Sequence, residues 1–179
     1  MAKTALIVVD MLNPYEHADA EQLARGVEPV VPALARLVGR ARERDDVDLI
    51  YVNDNQGDFA AGREDLVARA LKGRHPELVE PVAPPPDCAF LTKVRHSAFF
   101  GTPLEYLLRR EEVRTVVVTG QVTEQCVLYS ALDAYIREFA VVVPPDCVAT
   151  LHDDLGRAAL RMMERNMSAE IIGADECLA

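Results

Sequence analysis

Val116-Val117-Val118-Thr119-Gly120-Gln121-Val122-Thr123-Glu124-Gln125-Cys126-Val127 is the stretch on which the reading of the chain turns. Three β-branched apolar residues run into a Gly, a short polar loop follows, and Cys126 opens an apolar-periodic segment (Val127, Leu128, Ala131, Leu132, Ala134, Tyr135). That order predicts a buried strand, a tight turn and a helix starting near the cysteine. Unpaired N–H groups and the positive end of a helix dipole favour a thiolate there and can hold a developing oxyanion. Cys126 is therefore a candidate nucleophile. The other reading is a buried, inert cysteine, the commoner fate of a lone thiol.

Working outward, other apolar runs also end in polar or charged residues. Ala5-Leu6-Ile7-Val8-Val9 reads as a central parallel strand buried on both faces, closed by Asp10 and the turn Met11-Leu12-Asn13-Pro14. Val47 to Asn53 is a second strand, followed by the polar loop Asn53-Asp54-Asn55-Gln56-Gly57-Asp58. Asp87 to Thr92 is a third, with Lys93 directly after it. Thr115–Thr119, Ala140–Val143 and Ala169–Ile172 complete six predicted strands. Helices are expected over 27–44, 63–72, from Pro103 with Thr102 as its cap, over 127–138 and over 153–166. Alternating strands and helices give an α/β chain with a parallel sheet, right-handed crossovers and helices on both faces. With 179 residues, one domain over 1–179 is expected.

Half of the residues are hydrophobic, 27% are charged and the net charge is −10. That acidity disfavours nucleic acid and anionic membranes as partners. No apolar run approaches the roughly 20 residues that span a bilayer. The start Met1-Ala2-Lys3-Thr4, running into a strand, lacks a signal-peptide layout, so a cytoplasmic protein is expected. Cys88, Cys126, Cys147 and Cys177 are widely spaced, a poor disulfide framework and a poor zinc site. Cys88 and Cys147 read as small buried hydrophobes.

Asp10, Lys93 and Cys126 all fall at carboxyl ends of parallel strands, where open α/β sheets bind ligands. The chemistry is coherent: Cys126 attacks, Asp10 moves the proton, and Lys93 favours both anionic forms. The competing reading is a plain ion pair between Asp10 and Lys93 at the sheet end. Tyr15, Gln56, Phe59 and Phe99 lie in loops near strand ends and are candidate pocket residues, or else surface and core packing. Asn13 either orients Asp10 or makes the turn with Pro14. His17, His96 and His152 have no evident partner.

These residues resemble a known family, the isochorismatase-like cysteine hydrolases. The marks are Ala5-Leu6-Ile7-Val8-Val9-Asp10-Met11-Leu12-Asn13, Lys93-Val94-Arg95-His96-Ser97-Ala98-Phe99 and Gly120-Gln121-Val122-Thr123-Glu124-Gln125-Cys126-Val127, in that order over nearly the whole chain. The family includes nicotinamidases, N-carbamoylsarcosine amidases and other amide and ureido hydrolases. The resemblance implies a three-layer Rossmann-like fold with a mostly parallel six-stranded sheet. It implies Asp10, Lys93 and Cys126 as a catalytic triad, and a cis peptide between Gln121 and Val122. It further implies an oxyanion hole from the N–H groups of Val122 and Cys126. Isochorismatases that cleave a vinyl ether lack the cysteine, so Cys126 favours acyl chemistry on a small-molecule amide or ureide. Metal-dependent relatives carry an Asp-x-His pair after the second strand; here Asn53-Asp54-Asn55 has no His, and His75 alone closes no zinc set. No metal and no cofactor are expected. Homo-oligomers are common in the family, and Phe99-Phe100 could join an interface. A non-hydrolytic binding or regulatory protein on the same fold is the alternative. A thiol-redox role is poorer, for want of a nearby resolving cysteine.

Overall fold

The computed structural model describes residues 3–178. Six strands form one sheet: β1 (Lys3–Val9), β2 (Val47–Asp54), β3 (Ala89–Lys93), β4 (Val113–Gln121), β5 (Ala140–Val142) and β6 (Val148–Ala149). The order is β3-β2-β1-β4-β5, with β6 pairing the end of β4, and every pair is parallel. Seven helices are described: α1 (Ala20–Val27), α2 (Val31–Arg42), α3 (Arg63–Leu71), α4 (Pro76–Val79), α5 (Leu104–Arg110), α6 (Leu128–Ile136) and α7 (Asp153–Met167). None is long and apolar enough to cross a membrane.

Alternation along β1 divides the interior. Leu6 and Val8 face a core built with α1 to α4, whereas Ala5, Ile7 and Val9 face one built with α5 to α7. A strand buried on both sides must be apolar at successive positions, which is why β1 and the middle of β4 read as unbroken runs.

The chain winds outward from β1 to β3, then returns to place β4 on the other side of β1. The sheet therefore changes direction between β1 and β4, where Val9 pairs with Gly120. Such a switch point opens a crevice at the carboxyl ends. Gly120 has φ +105, and a Cβ there would lie 2.0 Å from the carbonyl oxygen of Val9. Only glycine lets β4 bend so close to β1 at this point.

Three expected elements differ. The helix predicted over 27–44 begins only at Val31, and α1 precedes it. Pro29 lies between the two and has no N–H to continue the ladder. The last strand predicted at Ala169–Ile172 is a single bridge, in which Glu170 bonds to Val141 and Val143 beside β5. The sixth strand is instead Val148–Ala149. The segment from Thr123 to Val127, expected as a short polar loop with a helix starting near Cys126, is one π-helical turn that feeds directly into α6.

Candidate active site

Asp10 follows β1, Asp54 ends β2, Lys93 ends β3, and Cys126 lies in the π-helical turn after β4. The parallel sheet thus delivers four reactive groups to one edge. Lys93 is the hub. Its side chain is fully buried, and Nζ lies 2.8 Å from Asp10 Oδ2 and 3.7 Å from Asp54 Oδ2. The same nitrogen donates to Cys126 Sγ at 3.7 Å. An ammonium without water is tolerated because two carboxylates face it.

Backbone and amide groups hold Asp10 in place. Its Oδ1 accepts the Asp54 N–H at 2.7 Å, and its carbonyl oxygen accepts Gln121 Nε2 at 2.6 Å. Asp10 itself sits at φ +54, a left-handed conformation uncommon for a residue with a side chain. Asn53 braces the loop beyond: its Oδ1 accepts the Leu12 N–H at 2.9 Å and its Nδ2 donates to the Leu12 carbonyl at 3.2 Å.

Cys126 is buried. The Gln121–Val122 peptide is cis. Ser130 Oγ donates to the Cys126 carbonyl at 2.6 Å, tying the turn to α6. Glu124 Oε1 accepts from the N–H groups of Leu151 and His152 at 3.0 and 2.7 Å, tying it to the loop before α7. These two braces carry no sequence signal, because each depends on which segments lie adjacent in space.

Burial governs the charge states. It pushes the Cys126 thiol up to about 12; the Asp10 charge adds to this, and Lys93 only partly opposes it. The resting group is a thiol, not the thiolate expected from a helix N-terminus, because desolvation outweighs the nearby N–H groups and the ammonium. Burial also raises the Asp10 carboxyl above its usual value, against the pull of Lys93. For Lys93 burial disfavours charge, but Asp10, Cys126 and Asp54 together outweigh it and its pKa rises.

A cavity of about 480 Å³ opens over these groups. Asn13, Gln56, Gln121, Val122 and Cys126 line it, together with Asp10 and Asp54. Three expected pocket residues do not. Tyr15 is fully buried behind the wall, its ring set edge-on against His75 at 5.4 Å. Phe99 is buried in the core under α5 to α7, 6.3 Å from Phe139. Phe59 is 84% exposed and is not among the lining residues. Asn13 makes the turn, its Oδ1 accepting the Tyr15 N–H at 2.7 Å. Asp54 was readable only as loop polarity, although it ends a strand as Lys93 does.

The two side chains that could be considered as metal donors, Asp54 and His75, have other partners. Asp54 faces the Lys93 ammonium, while His75 is engaged by Glu77 at 3.0 Å and Glu21 at 3.2 Å. Among the described residues no group of three or more His, Cys, Asp or Glu side chains converges to hold one.

The fold and site define a three-layer α/β protein with a buried cysteine, carboxylate and ammonium at the switch point of its sheet. The chain belongs to the isochorismatase family, whose isochorismatase domain matches residues 4–176. It is 36% identical over 177 residues to the uncharacterized isochorismatase family protein YaaI of Bacillus subtilis (strain 168), covering 99% of this chain and 97% of that one. It is 33% identical over 168 residues to the maleamate amidohydrolase of Pseudomonas putida, covering 88% of this chain and 78% of that one. The structure of N-carbamoylsarcosine amidase from Thermoplasma acidophilum superposes with a TM-score of 0.73 at 26% identity, covering 99% of both chains.

Proposed function

We propose that this chain is a cysteine hydrolase that cuts a C–N bond of a small amide or ureide through an acyl-enzyme on Cys126. One observation carries the reading: a single buried ammonium lies within 3.7 Å of both the Cys126 sulfur and the Asp54 carboxylate and 2.8 Å from Asp10. The relatives named as a maleamate amidohydrolase and an N-carbamoylsarcosine amidase support the bond type.

Asp10 takes the thiol proton as Cys126 Sγ attacks the substrate carbonyl carbon. Burial raises the Asp10 carboxyl above its usual value, which makes it a better acceptor for that proton. The N–H groups of Val122 and Cys126 receive the negative charge that forms on the carbonyl oxygen. Asp10 then hands its proton to the leaving nitrogen, the C–N bond breaks, and a thioester remains. Water attacks the thioester with Asp10 again as base, releasing the acid and restoring the thiol. Lys93 stays protonated throughout and offsets the charge on Asp10 and sulfur. No step calls for a metal.

The test is direct. Incubation with small primary amides should release ammonia, and rapid quenching should give a Cys126 adduct by intact mass. Cys126→Ala should abolish both while leaving the circular dichroism spectrum unchanged. Turnover that persists in Cys126→Ala would sink the covalent route.

A further inference from the structure

We propose that the cavity over Cys126 selects against negative charge, so that its substrate is a cationic or neutral amide. The proposal rests on the hydrolase reading for the word amide, but its electrostatic content does not. Four carboxylates line the cavity: Asp10 and Asp54 at the floor, Glu16 and Asp19 at the exposed rim. No Arg or Lys is among the lining residues, and the single histidine there, His17, lies at the exposed rim with its Nε2 3.4 Å from Asn13 Nδ2. The cation beneath the floor carboxylates is Lys93, fully buried and engaged 2.8 Å from Asp10 and 3.7 Å from Asp54. A substrate carboxylate entering here would find no free cation and would give up its water beside like charges. An ammonium at the far end of an amide would meet Glu16 or Asp19 as its scissile carbonyl approached Cys126.

The field of the whole molecule points the same way, since the chain carries a net charge of −10. A cleft lined by one sign of charge raises the arrival rate of the opposite sign by roughly ten- to thousand-fold. The maleamate amidohydrolase relative is named for an amide that bears a carboxylate. Membership of the family therefore leaves the charge of the substrate open, and the lining residues of this chain set it.

Two measurements test this on the intact protein. The first labels Cys126 with the trimethylammonioethyl and the sulfonatoethyl methanethiosulfonates, read at that residue by peptide mass and divided by the rates on glutathione. The cationic reagent should be favoured by about tenfold or more. The preference should shrink in about 1 M salt, where the Debye length is about 3 Å. It should also shrink in the double variant Glu16→Gln, Asp19→Asn, whose altered side chains are exposed and leave the core untouched. A normalised ratio at or below one overturns the proposal.

The second compares kcat/KM for three amides of matched size: that of γ-aminobutyric acid, butanamide and succinamate. The cation and the neutral amide should exceed the anion by at least about tenfold. Succinamate cleaved as fast as the cation overturns the proposal, even if every amide forms an adduct. If no amide reacts yet the labelling bias holds, the charge selection stands and the acyl-transfer reading is what fails.

Discussion

At Cys126 the proton is the central question. The thiol lies near 12 in the resting site, and Lys93 holds its proton above the ordinary lysine value. Neither group therefore titrates near neutrality. Asp10 must be ionised to accept the thiol proton, and its pKa is raised above 3.8. Activity should fall as pH drops through that raised value and stay level through the alkaline range. A free cysteine would instead give a limb near about 8.5. We expect kcat/KM against pH to show one acid limb above 3.8, belonging to the coupled group, and no inflection near about 8.5. Asp10→Asn should lower kcat by about 10²–10⁴. A limb near about 8.5 in the parent protein would mean the thiol ionises alone and would remove Asp10 as the base. Asp10, Lys93 and Cys126 were legible in sequence because each follows an apolar run, and a parallel sheet gathers such positions. Tyr15 and Phe99 were not, because nearness to a strand end does not fix the direction of a side chain. Tyr15 turns inward at φ +55, directly after the turn that Asn13 closes.

The element that presents Cys126 depends on Ser130. Ser130 is buried one helical turn along, donating to the Cys126 carbonyl at 2.6 Å and accepting the Ala98 N–H at 2.8 Å. One hydroxyl thus joins α6 to the turn that bears the nucleophile and to the loop after β3. Ser130→Ala removes both bonds and strands a buried N–H, which costs about 1–3 kcal/mol. Urea unfolding should show that loss, and kcat should fall through the loosened turn with both reacting groups still present. A midpoint and kcat equal to the parent would show that the hydroxyl braces nothing. This linkage is invisible in sequence, where Ser130 is one polar residue in an apolar-periodic helix. The π-helical turn was hidden for a related reason: apolar spacing marks a helical face but not which carbonyl each N–H chooses. In α1, by contrast, the signal was present. Ala20, Leu23, Ala24 and Val27 are buried at positions i, i+3, i+4 and i+7.

Across the whole molecule, the two cores share every central strand. Leu37 on α2 lies in one and Met163 on α7 in the other, both almost wholly buried. Between them β1 sends Leu6 and Val8 to one side and Ala5, Ile7 and Val9 to the other. Sequence showed that the strands were doubly buried, but not their order, because apolar runs of similar composition carry no label for their neighbours. That order decides how the molecule unfolds. Losing either helical layer exposes one face of β1, β2 and β4 and removes the reason for the sheet to persist. Leu37→Ala and Met163→Ala should each cost about 2–5 kcal/mol. At about 2–4 °C per kcal/mol for a chain of this size, each should lower Tm by roughly 4–20 °C. Both should shift the entire transition, with far-ultraviolet and near-ultraviolet circular dichroism coincident, as a single cooperative unit requires. A melt in which Met163→Ala moves only part of the amplitude would mean that the α5 to α7 layer can separate from a surviving sheet.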